Sequence, residues 1–180
     1  MNTKTTPSLP FHMTGTIGDI VLNHTGTVQE IYTQLITENP DFKPMELDDV
    51  EEAAVEARDK GSKSDWACIP VPGQNWYPAK ASEIDIGIAY LKKVKALCWV
   101  DGHACSRISC SWGSAISLCN VTPNKMGLSC EYMASYAQDL RDRCTGNLAG
   151  YGRRSKDHVG GQAWDTDGYN VNVYQDVHNC

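Results

Sequence analysis

Several features that would assign a function directly are missing from this sequence. No stretch approaches the roughly 18 apolar residues of a transmembrane helix. The G-x-S-x-G pattern is absent, which excludes the nucleophile elbow of the α/β-hydrolases. There is no internal repeat and no low-complexity tract. The formal net charge is −6, and residues 65–180 are neutral, with 11 Lys/Arg and 11 Asp/Glu, so we expect no nucleic-acid partner, because such proteins carry a basic surface.

Cysteine and tryptophan are both absent from the first 64 residues. That segment holds 5 Lys/Arg and 11 Asp/Glu, whereas residues 65–180 hold 11 of each together with all eight cysteines and all five tryptophans. We therefore place a boundary near Gly61–Ser64. Residues 1–64 are predicted to be an acidic, cysteine-free N-terminal extension, and residues 65–180 a cysteine-rich domain. The extension is either a pro-segment that is later cut off or a helical addition packed on the domain.

The cysteines indicate an oxidising compartment. An even number in a small, loop-rich domain predicts four disulfides and an extracellular protein. Met1-Asn-Thr-Lys4 is not followed by an apolar run, so no secretory signal is visible, and we expect that one was removed. The alternative is a cytosolic protein with reduced thiols or a metal site. The residues expected in disulfides are Cys68, Cys98, Cys105, Cys110, Cys119, Cys130, Cys144 and Cys180.

The cysteine spacing argues against zinc and constrains the pairing. Structural zinc sites use paired knuckles with gaps of two to four residues, and no second knuckle accompanies Cys105 and Cys110. No metal or cofactor is therefore expected. The separation of Cys105 and Cys110 is odd, so a regular strand places them on opposite faces. We expect Cys110 to reach a helix, with Cys144 as its partner.

Two helices and a short strand are predicted before the boundary. Ile17–Leu22 is an apolar run typical of a strand. A helix begins after Thr27, which forms a capping box with Glu30. A second helix is expected over about 46–59.

The cysteine-rich domain is predicted to be α+β. A strand over 65–71 precedes a helix capped by Ser82, and the hairpin Cys105–Asn120 turns at Trp112-Gly113, with Ile108, Cys110 and Trp112 on one face. A helix capped by Ser129 and a hairpin closed by Asp165–Gly168 follow. This β-α-ββ-α-ββ order predicts a disulfide-stapled antiparallel sheet packed against two helices.

Three histidines raise the possibility of acid–base chemistry. His103, His158 and His178 could form the pair that a ribonuclease-like hydrolase needs. Local spacing places no carboxylate or lysine beside any of them, so we predict surface histidines and no catalytic residue. The Asp165-Thr-Asp-Gly168 run resembles the start of a calcium loop, but Asp-Gly is the ordinary hairpin signal.

A set of short motifs resembles a known group of proteins. Gly87–Leu91, Cys105–Ser111, Cys119-Asn120 and Gly161-Gln162, with Leu22–Tyr32 upstream, are similar to small secreted cysteine-rich proteins of filamentous ascomycete fungi. Members of that group are regarded as candidate effectors, and some fungal effectors and killer toxins share a sandwich of a sheet and two helices. The resemblance implies secretion and a binding or toxic role. It carries over no catalytic residue.

We therefore expect a secreted effector or killer-toxin-like protein that binds a host or competitor protein, as a monomer. The alternatives are a small secreted hydrolase, or a carbohydrate-binding module that binds a cell-wall glycan. Aromatic residues and arginine are favoured as contacts. The predicted binding residues are Trp76, Tyr77, His103, Arg153, Arg154 and Lys156.

Two sequence motifs predict modification. Asn23-His-Thr25 is an N-glycosylation sequon. Arg153-Arg-Ser-Lys156 is either a solvated basic loop or a site for a dibasic-specific protease. If it is cut, Cys180 is expected to hold the pieces together.

Overall fold

The computed structural model describes residues 8–17, 19–42, 62–177 and 180, without the side chains of Arg153 and Arg154. Within these residues the fold is α+β. The helices are α1 (Val28–Glu38), α2 (Ala81–Lys93) and α3 (Cys130–Cys144), and Gly152–Lys156 forms a 3-10 turn. The strands are β1 (Ser8–Leu9), β2 (His12–Ile17), β3 (Ile20–Thr25), β4 (Lys63–Cys68), β5 (Ala79–Lys80), β6 (Lys95–Val100), β7 (Ala104–Ser111), β8 (Ser114–Asn120), β9 (Met126–Ser129), β10 (His158–Val159), β11 (Gly161–Asp165) and β12 (Tyr169–Gln175).

The described strands form one large sheet and two smaller ones. The large sheet has six strands in the order β1-β7-β8-β12-β11-β4, and every pair is antiparallel except β1 with β7. A four-stranded antiparallel sheet has the order β3-β2-β6-β9, and β5 pairs with β10. The order expected for residues 65–180 lacks β5, β6, β9 and β10, so the described fold has more strands than β-α-ββ-α-ββ.

One face of the six-stranded sheet, here called the inner face, carries the core. Tyr169, Val171 and Val173 of β12, which are predicted to share one face, all belong to the hydrophobic core, and Asn170 and Asn172 between them are buried as well. Helix α1 packs on β7, α2 packs on β7 and β8, and α3 packs on β11 and β12. A side chain at Gly87 of α2 would collide with the Ser109 hydroxyl, so this glycine lets the helix approach the sheet closely.

The helix ends follow local capping rules with one exception. Thr27 and Glu30 form the predicted capping box at α1, and the Ser129 hydroxyl accepts from the Tyr132 N–H at α3. The prediction that Ser82 caps α2 is wrong. The N-cap residue is Lys80, which makes no side-chain capping bond, and Ser82 lies inside the helix.

Residues 8–42, which the sequence assigns to an N-terminal extension, contribute to the same core as the cysteine-rich part. Strand β2 pairs with β6, and buried residues of α1 belong to the continuous hydrophobic cluster. The proposed boundary falls inside β4. The single strand expected over Ile17–Leu22 is wrong, because Ile17 ends β2 and Ile20 begins β3. The helix expected over 46–59 lies outside the described residues.

All eight cysteines lie in the described residues and are paired. The disulfides are Cys68–Cys144, Cys98–Cys130, Cys105–Cys119 and Cys110–Cys180. Cys68–Cys144 ties the edge strand β4 to α3. The expected pair Cys110–Cys144 is wrong.

A β-bulge explains why that pairing fails. Arg107 lies opposite Ser117, but Ser109 lies opposite Ile116, so Ile108 is an extra residue in β7. The extra residue reverses the alternation of the strand beyond it. Cys110 therefore shares the solvent side of the sheet with Cys105, away from the helices, where Cys180 reaches it.

The N-terminal helix α1 supports the bulge through one side chain. The Gln29 amide donates to the Ser109 hydroxyl at 2.7 Å and accepts from the Cys110 N–H at 3.0 Å. These bonds give hydrogen-bond partners to the Cys110 N–H and the Ser109 hydroxyl next to the bulge. A residue from the predicted extension thus stabilises the strand that carries Cys105 and Cys110.

Candidate recognition surface

The turn between β7 and β8 has an unusual composition. Trp112 and Gly113 form a two-residue connection in which both residues have positive φ, 47° and 69°. Positive φ at both positions defines the type I′ hairpin turn, which prefers Asn-Gly, because a bulky side chain is strained there. Trp112 is nevertheless at the first position and is 80% exposed. A large apolar side chain is therefore held out in solvent in a conformation that local energetics disfavour.

Two other chain segments bring exposed apolar residues to the same end of the sheet. The Asp176 N–H donates to the Gly113 carbonyl at 2.8 Å, and the Gln175 N–H donates to the Tyr77 carbonyl at 2.7 Å. Val177 and Tyr77 are 65% and 60% exposed. We call Tyr77, Trp112 and Val177 the aromatic tip.

The aromatic tip is built on a fixed support. The Gly113 N–H donates to the Cys180 carbonyl at 3.3 Å, and the Cys110–Cys180 disulfide joins the C-terminal residue to β7 just before the turn. Arg107 forms a part-buried ion pair with Asp176, at 2.7 Å between Nη1 and Oδ2. Backbone, covalent and ionic links thus fix the segments that carry the tip.

Trp76 lies beside the tip but is half-buried. Its ring stacks on Tyr174, with 5.1 Å between ring centroids and 16° between planes. The Tyr174 hydroxyl pairs with the Ser117 hydroxyl at 3.0 Å. Burial raises the pKa of Tyr174 above its ordinary value, so this ring stays neutral and hydrogen-bonded. Trp76 extends the aromatic surface from the tip onto the solvent side of the sheet.

The structure brings some of the predicted binding residues together and separates others. Trp76 and Tyr77 lie at the tip end, and the turn with Arg153, Arg154 and exposed Lys156 precedes β10, which pairs with β5 near that end. His103 is exposed at the opposite end, where its N–H donates to the Thr122 carbonyl. Asn23, the predicted glycosylation site, is exposed on the edge strand β3.

Trp112 is the binding candidate that sequence reasoning missed. The expectation that Trp112 shares a strand face with Ile108 and Cys110 is wrong, because Ile108 is the bulge residue and Trp112 lies in the turn. The Trp112-Gly113 turn itself was predicted from the sequence. A two-residue loop between strands places its residues at positive φ and outside the strand pairing, so the alternation along β7 does not extend to Trp112.

The histidines do not form an acid–base pair in the described residues. His103 lies by the end of β8, whereas His158 pairs with Lys80, whose N–H donates to Ser114 at the start of β8. The seven residues of β8 separate these positions by about 20 Å. His158 is bonded to Asp157 at 2.8 Å, and His178 lies outside the described residues. Among the residues that the structure describes, no group of three His, Cys, Asp or Glu could hold a metal ion.

A second polar cluster lies where α3 meets the six-stranded sheet. The Tyr136 hydroxyl donates to the Asp165 carboxylate and lies 3.3 Å from the hydroxyls of Tyr132 and Tyr169. Burial, reinforced by the bond to Asp165, raises the pKa of Tyr136 well above its ordinary range, and burial does the same for Tyr169. The carboxylate also accepts from the Asp167 N–H at 2.8 Å. Its hydrogen bonds stabilise the hairpin.

A cavity of about 180 Å³ lies next to this cluster. Lys63 there pairs with Asp139 at 2.6 Å and lies 4.7 Å from the centre of the Tyr136 ring. The Arg143 guanidinium lies 5.0 Å from the centre of the Trp66 ring. The charge of Lys63 is balanced by its carboxylate partner.

Comparison with known proteins gives no family for this chain. No protein-family model, no curated protein and no solved structure matches it. In the part of the chain that the structure describes, no helix is both long enough and apolar enough to cross a membrane.

Proposed function

We propose that this chain is an extracellular recognition protein, of the effector or killer-toxin-like kind, that binds a host or competitor protein through the aromatic tip. Four disulfides support an extracellular location, since such bonds form and persist in oxidising compartments. The motifs similar to fungal secreted cysteine-rich proteins agree with it. Binding is favoured over chemistry because His103 and His158 lie far apart.

The observation that carries the proposal is Trp112. A tryptophan at the first position of a type I′ turn costs on the order of 1 kcal/mol in backbone strain and exposes a large apolar surface. Neither cost is offset by packing within the protein, because the side chain is 80% exposed. Tryptophan is the residue type most enriched among binding hot spots. The arrangement therefore supports contact with a partner that buries this ring.

The support of the tip favours tight binding. Association is weakened when loops must be ordered in the complex. Here the Cys110–Cys180 disulfide and the bonds from Asp176 and Cys180 to Gly113 hold the turn before a partner arrives. Binding through the aromatic tip should therefore lose little conformational entropy, because the turn is already ordered.

The test compares the wild-type protein with Trp112→Asn. Purified protein is infiltrated into plant leaves and added to cultures of competing fungi and bacteria, and cell death or growth inhibition is measured against dose. We expect a response in at least one of these systems. Loss of a tryptophan hot spot of about 2 kcal/mol should raise the effective dose of Trp112→Asn about 30-fold.

Trp66→Ala is the matched control. Trp66 is 44% exposed but lies on β4, away from the tip. It should keep wild-type potency. A wild type without effect in every system, or a Trp112→Asn protein as potent as the wild type, would contradict the proposal.

The stacking of Trp76 on Tyr174 supports glycan binding as a second candidate. The partly exposed Trp76 ring, held flat by its stack on Tyr174, presents the kind of aromatic surface on which a sugar ring can pack. Pull-down on insoluble chitin and glucan tests it. Under this candidate Trp76→Ala loses retention and Trp112→Asn keeps it, whereas failure of the wild type to bind either polymer removes the candidate.

A further inference from the structure

The connection between α3 and β10 is anchored by buried Leu148 and by Tyr151, which packs against the core, and it is open to solvent around these two residues. Gly146, Gly150 and Gly152 all have positive φ, and a side chain built on any of them would meet nothing within 4 Å. Lys156 is exposed. The segment is therefore surrounded by solvent on the sides where these glycines lie, and Arg153-Arg154 is in the 3-10 turn at its end.

Local bonds tie this turn to the end of α3. The Gly146 N–H donates to the Ser155 carbonyl, and the Ser155 hydroxyl donates to the Gly146 carbonyl at 3.4 Å. Segments of this kind, exposed and held by local bonds, open at low free energy and are the preferred sites of proteolytic nicking. A protease can therefore bind the chain here without unfolding the core.

Three of the four disulfides lie on one side of the Arg154–Ser155 bond, and the fourth spans it. Cys68–Cys144, Cys98–Cys130 and Cys105–Cys119 lie entirely before Arg154. Among the four disulfides, Cys110–Cys180 is the one that joins residues on opposite sides of Arg154. A cut after Arg154 therefore leaves two chains connected by one disulfide.

The residues after the cut are also held by the sheets. Strand β10 pairs with β5, β11 lies between β12 and β4, and β12 pairs with β8 along its whole length. The buried residues Val171 and Val173 belong to the core. The 26 residues from Ser155 to Cys180 would thus keep their place in the fold after cleavage.

We propose that Arg153-Arg154 is a processing site for a dibasic-specific serine endoprotease of the secretory route, and that the mature protein is a disulfide-linked pair of chains. Water adds across the peptide bond between Arg154 and Ser155, which leaves a carboxylate on Arg154 and an ammonium group on Ser155. The Cys110–Cys180 disulfide is unchanged by this hydrolysis.

A second dibasic pair, inside a helix, serves as an internal control for the effect of the fold on cleavage. Lys92-Lys93 is also a dibasic pair, but it lies in the last turn of α2, where the Lys92 ammonium donates to the Gln138 side chain at 3.1 Å. Cleavage there requires the helix to unfold, so in native protein it should be at least ~100-fold slower than cleavage after Arg154.

The experiment incubates the purified, oxidised full chain with a kexin-type protease and follows the products by denaturing electrophoresis and mass spectrometry. We expect one band without reductant, and after reduction a 154-residue chain and a 26-residue chain. The Cys110→Ser/Cys180→Ser variant should release the 26-residue chain without reductant. Arg154→Gln should resist cleavage, whereas Lys156→Gln should be cut like the wild type.

Three results would overturn the proposal. The first is a native protein that resists while the reduced, unfolded chain is cut after Arg154. The second is cleavage after Lys93 at a similar rate. The third is separation of the wild-type pieces without reductant.

Discussion

The six-stranded sheet contains two hairpins that differ in the side chain carried at the turn. At the β11–β12 hairpin, Asp165 ends β11 and is buried, where it accepts hydrogen bonds from Tyr136 and from the Asp167 N–H. At the β7–β8 hairpin, Trp112 is the first residue of the two-residue turn and is 80% exposed. Both turns contain a glycine at positive φ, although the β11–β12 connection is one residue longer. The Asp165 carboxylate stabilises its own hairpin, whereas the Trp112 ring is available for contact with a partner.

The largest expected effect comes from removing the covalent support of the Trp112 turn. The Cys110→Ser/Cys180→Ser variant should lose about 4 kcal/mol of unfolding free energy, because the disulfide joins residues 70 apart and restricts the unfolded chain. Urea unfolding without reductant measures the loss. Cys105→Ser/Cys119→Ser, with a separation of 14, should lose less, about 3 kcal/mol. Equal urea midpoints for the wild type and the first variant would contradict this account of the tip.

Asp165→Ala tests the stability role of the other turn. It should lose about 3 kcal/mol, because the buried Tyr136 hydroxyl and the Asp167 N–H both lose their acceptor. Thermal and urea unfolding measure the change. Asp167→Ala, at an exposed position of the same turn, should change stability by no more than about 0.5 kcal/mol. Similar losses in the two variants would show that the carboxylate cluster does not stabilise the hairpin.

Unfolding at alkaline pH tests whether the buried hydroxyls of Tyr136 and Tyr169 stabilise the fold next to the β11–β12 hairpin. Burial raises the pKa of Tyr136 and Tyr169 in the folded state, whereas unfolded tyrosines ionise near a pKa of about 10. Their contribution to stability is therefore complete below pH ~10 and is lost as the pH rises above it. The loss reaches about 1.4 kcal/mol per pH unit for each tyrosine.

Urea midpoints measured from pH 8 to pH 11 test this dependence. Tyr136→Phe should show a shallower fall than the wild type, because one buried hydroxyl no longer resists ionisation. A wild-type midpoint that stays constant to pH 11 would contradict the raised pKa values.

The smallest expected effect has the opposite sign. Trp112→Asn should raise the unfolding free energy by about 1 kcal/mol, because asparagine tolerates positive φ better than tryptophan. Scanning calorimetry should show a rise in Tm of about 2–4 °C. A lower Tm would mean that the Trp112 ring packs within the protein, and would remove the main reason for placing the recognition surface here.

The sequence predicted the elements whose signals are local. The α1 capping box, the Ser129 cap of α3 and the set Tyr169, Val171 and Val173, which lies in the core, all depend on residues within a few positions of each other. The even number of cysteines also predicted four disulfides correctly. Each of these signals can be read without knowing the tertiary fold.

The missed elements depend on pairing between distant segments. Strand β6 follows α2 without a turn signal, and its partner β2 is about 80 residues earlier in the chain. Gln29, which hydrogen-bonds Ser109 and Cys110 beside the bulge at Ile108, is equally remote. The aromatic tip joins three segments, so Tyr77 was predicted as a contact while Trp112 and Val177 were not.

The β-bulge in β7 also determines which cysteines can be oxidised together. Because Ile108 is bulged, Cys105 and Cys110 lie on the same side of the sheet despite their odd separation, and Cys180 pairs with Cys110 there. If β7 kept all its residues but paired without the bulge, Cys110 would turn toward the helices and leave Cys180 facing no thiol, which peptide mapping of the oxidised product would reveal. The disulfide connectivity thus depends on the bulge as much as on the positions of the cysteines.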